Sequence, residues 1–266
     1  LLHLFDPHLP YDAPPPHAGR FTAKVAGPPL HPARPQDVRR RLAQLSEGEK
    51  AFLVGAYDEE IASTDAQVGR FLAGLESRRR LERALVVLTA DHGEELFDHG
   101  GFEHGHSTHQ EVLHVPLVAW APGLRPRREA RPVSLVDLMP TALEAAGLVA
   151  PASDGLSLWP WLVREAGSAP RLLAAEATLL RPERRALLSW PLKLVTNEES
   201  GRRELYDLER DPVERQDLAS ERPQETERLA GLLEGLLAAP AAAPAGTGVL
   251  SPEELEELRS LGYVEE

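Results

Sequence analysis

The segment from Glu47 to Ser77 repeats its apolar residues at the spacing of an α-helix, and this feature most constrains the fold. Ser46 and Glu49 form an S-x-x-E capping box at its start. The short apolar run 84–90 (ALVVLTA) follows, and it is typical of a strand that is buried on both faces. A long amphipathic helix next to such a strand indicates helices packed on a sheet.

Strand and helix patterns continue to alternate up to about residue 150. The run 115–121 predicts a second buried strand, and Ser134 and Asp137 begin a helix that Gly147 ends. We therefore expect an α/β fold with a mostly parallel central sheet flanked by helices. Residues 1–5 predict the end of a buried strand. Nine prolines between Asp6 and Asp37 predict a long extended loop.

The pattern changes after residue 150. Four short runs predict a small antiparallel sheet, at 171–177, 184–190, 193–196 and 204–207. A helix over 223–238, an Ala/Pro/Gly linker over 239–248 and a new helix start at Ser251 follow. The sequence thus predicts a main domain over 1–150 and a C-terminal α+β subdomain over 151–266.

Composition excludes several classes of function. The chain has 266 residues, and its 29 basic against 42 acidic side chains give a net charge of −13, which opposes nucleic-acid binding. No apolar run approaches the ~20 residues that a membrane span needs. The chain has no cysteine, which excludes disulfides, thiolate metal sites and a cysteine nucleophile within these residues.

Histidines are concentrated after the first predicted central strand. Six of the ten lie between His92 and His114, and the carboxyl ends of strands in α/β sheets are where ligands bind. Asp91 and His92 suit part of a divalent-cation site, or else a capped turn with a packed imidazole. His104 and His106 point the same way in an extended loop, towards an anion or metal or simply into solvent. His8 follows the predicted first strand, where a lone histidine is weak evidence.

Several segments resemble the sulfatase family of the alkaline phosphatase superfamily, and they occur in the family's order along nearly the whole chain. They are FDPHLPY (5–11), YDEEIASTDAQVG (57–69), LTADHGEELFDHGGFEHGHS (88–107), EVLHVPLV (111–118), VDLMPTALEAAG (136–147), ELYDLERDPVERQDLA (204–219) and LRSLGYV (258–264). The resemblance implies an alkaline-phosphatase-like fold and a metal-dependent sulfuric-ester hydrolase.

The resemblance also implies roles for individual residues. Asp91 and His92 would bind a divalent ion, usually Ca²⁺ in the family, and His8 would contact the sulfate and the leaving-group oxygen. Many members bind the sulfate with a lysine just before the VPL strand. This chain has no lysine in that region, so His104 or His106 takes that place, and the sequence leaves open which one.

Two family elements are missing. Sulfatases use a formylglycine made from the cysteine or serine of a C/S-x-P/A-x-R motif, and the spacing in Ser168-Ala169-Pro170-Arg171 is wrong for it. The family's paired aspartates have no counterpart here either. We expect the later part of a catalytic domain truncated at the N-terminus, which is inactive by itself, with the formylglycine in a missing segment. The other interpretation is a degenerate remnant.

Three functional hypotheses follow. The first is a sulfatase fragment whose substrate is a small-molecule or carbohydrate sulfate ester. The second is a phosphonate monoester hydrolase or phosphodiesterase of the same superfamily, for which Mn²⁺ is the alternative metal. The third is a non-catalytic descendant. Family members are often exported, so the resemblance implies a periplasmic or extracellular location, whereas substrate identity and oligomeric state stay open.

Overall fold

The computed structural model describes residues 1–25, 35–164, 171–177, 182–238 and 251. The chain divides into two compact units, Leu1–Leu233 and Glu234–Glu266. The domain boundary predicted at residue 150 lies inside the first unit, and the division into 1–150 and 151–266 stays a prediction. The predicted linker 239–248 and the helix predicted beyond Ser251 lie outside the described residues. Within the described ranges, no helix combines the length and the apolar character that crossing a membrane requires.

Six helices and eight strands make up the described secondary structure, together with short 3₁₀ turns. The helices are α1 Pro35–Arg41, α2 Glu47–Ser77, α3 Gln110–Leu113, α4 Leu138–Ala145, α5 Trp159–Arg164 and α6 Pro223–Leu237. The strands are β1 Val86–Thr89, β2 Glu95–Leu96, β3 Phe102–Glu103, β4 Leu117–Trp120, β5 Leu173–Ala177, β6 Arg184–Ser189, β7 Leu192–Asn197 and β8 Arg203–Asp207.

Helix α2 has the predicted bounds because its start is encoded locally. The Ser46 side chain accepts from the Glu49 amide at 3.2 Å, and the Glu49 carboxylate accepts from the Ser46 amide at 2.8 Å. Its apolar face includes Leu53 and Ala56, which pack in a core cluster with Tyr11. This helix is therefore the surface on which the N-terminal segment is held.

Strands β1 and β4 differ from the predicted parallel arrangement. They pair antiparallel, with Val86 opposite Trp120 and Thr89 opposite Leu117. Parallel strands are usually joined by a long helical crossover, whereas the segment between β1 and β4 contains the short strands β2 and β3 and the four-residue helix α3. Val87 and Val118 are also exposed, so these strands are not buried on both faces as predicted. All strand pairs among the described residues are antiparallel.

The N-terminal segment is not the buried strand that its apolar letters predict. Residues 1–5 are irregular and exposed, and they pair with none of the strands in the described part of the chain. The following segment is irregular up to residue 25, as its prolines predict. Residues 26–34 of the predicted loop lie outside the described residues. Its last three residues belong to α1, which begins at Pro35, and proline is well tolerated in a first helical turn.

The predicted C-terminal antiparallel sheet is confirmed. Strands β5, β6, β7 and β8 pair in chain order. Leu187, Leu194 and Leu205 are completely buried on these strands. Helix α6 follows over nearly the predicted range. In this part of the chain short turns make neighbours in sequence into neighbours in space, which explains why local patterns predict it well.

Candidate active site

Three of the predicted site histidines lie together. The His92 and His104 rings are stacked with centroids 3.9 Å apart, and the His8 ring meets His104 edge-on at 5.5 Å. His8 comes from the proline-rich segment, and His92 comes from the turn that follows β1. His104 comes from the loop after β3. Residues far apart in sequence therefore form one histidine cluster, which we define as His8, His92 and His104.

Each ring of the histidine cluster is oriented through its Nδ1 atom. The Nδ1 atoms of His8 and His92 lie 2.8 and 2.9 Å from the carbonyl oxygen of the residue that follows each. A carbonyl oxygen only accepts, so these Nδ1 atoms carry the proton. The Nδ1 atom of His104 lies 2.9 Å from Oε1 of Glu94. This arrangement leaves Nε2 of all three rings as the atom that can serve a ligand.

Asp91 and His92 have the atoms that part of a divalent-cation site requires. The Asp91 side chain is 69% exposed, and its Oδ2 lies 3.8 Å from His92 Nε2. Its Oδ1 accepts from the His92 amide at 3.0 Å. One carboxylate and one neutral imidazole fit a shared cation, but Ca²⁺ takes six to eight oxygen ligands. These two residues therefore fit a portion of such a site and not the whole of it.

Glu94 was missed by the sequence analysis, although it belongs to the D-H-G-E segment. Its side chain is only 5% exposed. Oε1 accepts from His104, and Oε2 accepts from the Tyr11 hydroxyl at 2.9 Å. Burial, reinforced by the Glu94 charge, raises the pKa of Tyr11, which therefore stays a donor. The carboxylate thus connects the H-x-P-Y segment to the histidine cluster.

His106 lies outside the histidine cluster. Its Nε2 is 2.8 Å from Oε2 of the buried Glu95, and this hydrogen bond raises the pKa of His106. In an extended loop, His104 and His106 were expected to converge, but in the structure their rings point to different carboxylates. Gly105, between them, has φ +82°, a left-handed conformation that breaks the extended geometry. The two rings therefore meet different carboxylates.

Glu95 organises the loop that carries these histidines. Besides His106, it accepts from the amides of His99 and Gly101, at 3.1 and 2.5 Å. Burial opposes ionisation, but these hydrogen bonds outweigh it and hold the pKa of Glu95 below its ordinary value. A Cβ on Gly101 would lie 2.4 Å from His106 Nε2. Glycine is thus required by the close packing around the Glu95 carboxylate.

The D-H-G turn is fixed by contact with α3. The Gly93 amide donates to the carbonyl oxygen of Val112 at 2.7 Å. A Cβ on Gly93 would lie 2.1 Å from the carbonyl oxygen of Glu111. The turn that carries Asp91 and His92 therefore depends on a residue without a side chain.

Two adjacent buried glutamates of α2 hold the N-terminal segment, and the sequence analysis also missed them. Glu59 accepts from the Gly19, Phe21 and Thr22 amides, at 2.8 to 3.0 Å. Glu60 accepts from the Asp12 amide at 2.7 Å. Burial raises the pKa of Glu60 to about 7. The sequence did offer one indication of their burial, since both glutamates lie within the apolar stripe of the predicted helix.

A second cluster contains His99, His109 and Glu111, whose potential ligand atoms lie within 4.8 Å of one another. His99 Nδ1 faces Glu111 Oε1 at 2.7 Å, and its Nε2 faces the Glu214 carbonyl oxygen at 3.1 Å. Two donated hydrogen bonds make His99 an imidazolium. Its ring stacks nearly parallel on His109, 3.9 Å away. Both ring nitrogens of His99 are engaged, which suits a held proton better than a metal ion.

Burial gives the two stacked rings different protonation states. Burial opposes the charge on His99, but hydrogen bonds to Glu214 and Glu111 outweigh it and raise the pKa of His99. Burial, together with the charge of His99, lowers the pKa of His109 to about 3. A neutral imidazole therefore lies against a charged one, which avoids repulsion between them.

Comparison with known proteins places the chain in a family. The Sulfatase family model matches residues 1–148, and the chain belongs to that family, within the alkaline phosphatase superfamily. Arylsulfatase K of Mus musculus is 28% identical over 203 residues, which cover 69% of this chain and 35% of the relative. The chain thus spans about a third of the length of that relative.

Solved structures agree on the fold. A 2-O GAG sulfatase is 26% identical with a TM-score of 0.65, covering 74% of this chain and 46% of its own. A phosphonate monoester hydrolase from Silicibacter pomeroyi is 24% identical with a TM-score of 0.73, covering 93% of this chain and 57% of its own. The chain therefore shares the fold of about half the length of such enzymes.

Proposed function

We propose that the protein containing this chain hydrolyses sulfate esters and that the histidine cluster with Asp91 is its part of the active site. The observation that carries the proposal is the stacking of His104 on His92 beside His8, with Nε2 of each ring left for a ligand. Sulfuryl transfer places negative charge on peripheral and leaving oxygens, so donors and a cation are the groups that it requires.

Within this proposal, each residue has one role. His8 protonates the leaving-group oxygen, and His104 donates a hydrogen bond to the sulfate group, each through Nε2. Because Nδ1 already carries a proton in both rings, Nε2 donates when the ring is an imidazolium. His104 is preferred over His106 because only His104 contacts the other two histidines. Asp91 and His92 hold a divalent cation, with Ca²⁺ as the family's usual ion, and this cation would neutralise sulfate charge when bound.

The nucleophile is not among these residues. The chain has no cysteine and no Asp-Asp pair, so neither a formylglycine nor the second half of the family's metal site fits here. We place both in the whole protein and derive no step through them. The name of the 2-O GAG sulfatase favours a carbohydrate sulfate ester as the substrate class. The likeness to a phosphonate monoester hydrolase concerns the fold and does not favour the alternative reaction.

Kinetics of the full-length protein test the role of His8. We expect hydrolysis of 4-nitrophenyl sulfate, and a loss of about 10²–10⁴-fold in His8→Ala for substrates with basic leaving groups. The loss shrinks as the leaving group becomes more acidic. His3→Ala, at an exposed position in the same segment, is the matched control. An equal loss across the leaving-group series would make His8 a binding residue.

Metal analysis tests Asp91 independently of turnover. The purified Asp91→Ala variant is expected to contain much less bound Ca²⁺ by elemental analysis than the wild type. Asp58→Ala, at an exposed position of α2, serves as the control for removing one surface carboxylate. Full occupancy in Asp91→Ala contradicts the ligand assignment.

A further inference from the structure

Glu94 lies where it can fix the tautomer of His104, the ring that the proposed function assigns to the sulfate group. Its carboxylate is nearly inaccessible and has two directional partners, one on each oxygen. The partner on Oε1 is His104, whose ring is stacked on His92. The partner on Oε2 is Tyr11, which is itself buried. A buried carboxylate with both oxygens in use fixes the direction of the hydrogen bond on each side.

In the hydrogen bond between Tyr11 and Glu94, the Tyr11 hydroxyl can only be the donor. Burial raises the pKa of its hydroxyl, so the group stays protonated and donates to Oε2. Its ring packs edge-on against Tyr57 and Phe102, with centroids 5.4 and 6.5 Å away, which holds the hydroxyl in place. Oε1 is then left as an acceptor for His104. The proton of that hydrogen bond therefore resides on Nδ1 of His104.

Adjacent residues explain why this arrangement selects His104. Glu94 and Glu95 follow one another in an extended segment, so their side chains point to opposite sides. Gly105 lies between His104 and His106, and its left-handed backbone turns these two side chains in different directions. As a result His104 meets Glu94 and His106 meets Glu95. The two pairs are alike in chemistry, but only the first adjoins the histidine cluster.

We propose that Glu94, held by Tyr11, is the positioning residue for His104: it keeps the proton on Nδ1, fixes the ring plane and directs Nε2 towards the sulfate group. This inference rests on the proposed function for the role of His104 and adds the residues that prepare it. Carboxylates that orient a metal-binding imidazole set its tautomer in this manner, and their loss typically costs about 10–100-fold in metal affinity or activity. We expect a loss of the same order here.

The test measures the tautomer directly. In the full-length protein labelled with ¹⁵N-histidine, long-range ¹H–¹⁵N spectra distinguish a protonated Nδ1 from a bare one, and His104→Ala identifies the His104 signals. We expect a protonated Nδ1 in the wild type and a mixture of tautomers in Glu94→Ala. Tyr11→Phe, which removes only the hydroxyl, is expected to shift the same signals by a smaller amount. Tyr57→Phe removes a neighbouring hydroxyl and is expected to leave them unchanged.

Kinetics separate this inference from the proposed function. For 4-nitrophenyl sulfate, kcat/KM is expected to fall by about 10–100-fold in Glu94→Ala and to stay near the wild-type value in Tyr57→Phe. If the His104 signals are the same in the wild type, Glu94→Ala and Tyr11→Phe, the positioning role is overturned regardless of activity. If they change as expected but the wild type hydrolyses no sulfate ester, the positioning role stands and the proposed function fails.

Discussion

Lys193 Nζ lies 2.7 Å from Glu214 Oε1, and both side chains are almost completely buried. The pair joins β7 to the loop after β8. The other Glu214 oxygen accepts from the Gln110 amide at 2.6 Å, which ties this pair to the start of α3. Burial lowers the pKa of Lys193 and raises the pKa of Glu214. Each charge therefore depends on the other.

Lys193→Met is expected to destabilise the protein by about 3–5 kcal/mol, because it leaves a buried carboxylate without its cation. Lys193→Met/Glu214→Gln is expected to recover part of this loss, since the uncompensated charge is then removed. Denaturant unfolding measures both differences. An unchanged free energy of unfolding in the single variant would show that the pair does not stabilise the fold.

Gly93→Ala is expected to displace the D-H-G turn, because the new Cβ would meet the Glu111 carbonyl oxygen. Overpacking of this kind costs about 1–3 kcal/mol. Gly69→Ala on α2 is the matched control, since a Cβ there meets nothing within 4 Å. It is expected to stabilise by about 0.5–1 kcal/mol because alanine favours a helix. Equal melting temperatures for the two variants would contradict the close approach at Gly93.

Stability is expected to depend on pH through Glu60. Burial raises its pKa from 4.5 to about 7, so between these values the folded state holds a proton that the unfolded chain has released. The contribution of Glu60 to the free energy of unfolding therefore falls as the pH rises from 4.5 to 7. Glu60→Gln is expected to flatten this part of the curve in thermal melts.

The neighbouring Glu59 provides a control of opposite sign. Burial opposes its ionisation, but hydrogen bonds from Phe21 and Thr22 outweigh it and hold the pKa of Glu59 below 4.5. Its contribution is present above pH 4.5 and is lost as the pH falls through the lowered pKa. Glu59→Gln should therefore change the pH dependence of the free energy of unfolding only on the acidic side, below pH 4.5. The same response in both variants would refute the assignment of the two groups.

His99 is expected to link stability to pH in a higher window. Its pKa is raised above 6.5, so its contribution is complete below pH 6.5 and is lost as the pH rises through the folded value. The charged groups around His99 and its stacking partner His109 are Glu111, Glu214, Lys193, Arg184 and Glu95. An NMR titration should show His99 titrating above 6.5, while His109 stays neutral from pH 5 to 9. Titration of His99 below 6.5 would contradict its imidazolium state.

Local patterns predicted the elements that local interactions determine. The capping box at Ser46 fixes the start of α2, and the closely spaced strands β5–β8 pair with their neighbours in sequence. Such patterns could not predict the antiparallel pairing of β1 with β4, because the sequence of an apolar strand does not show the direction in which it pairs. Residues 1–5 were mispredicted for the same reason, since apolar character shows what can be buried and not whether a partner strand is present.

The motifs singled out four candidate histidines, while the contacts between these residues required coordinates. The structure brings His8, His92 and His104 together, and the sequence could not separate His104 from His106. That choice depends on the backbone of Gly105 and on the carboxylates of Glu94 and Glu95. Buried glutamates are hard to predict because a glutamate in a sequence normally indicates a solvated surface.

The β2–β3 hairpin, in which Glu95 lies opposite Glu103 and Leu96 opposite Phe102, comprises only two residue pairs. A displacement of one residue in such a hairpin turns every side chain to the other face. It would turn Phe102 away from the core cluster that this residue shares with Leu53 and Ala56 of α2. His104 follows β3 directly in the chain. The packing of Phe102 on α2 therefore fixes the register of the hairpin and, with it, the place of the loop that carries His104.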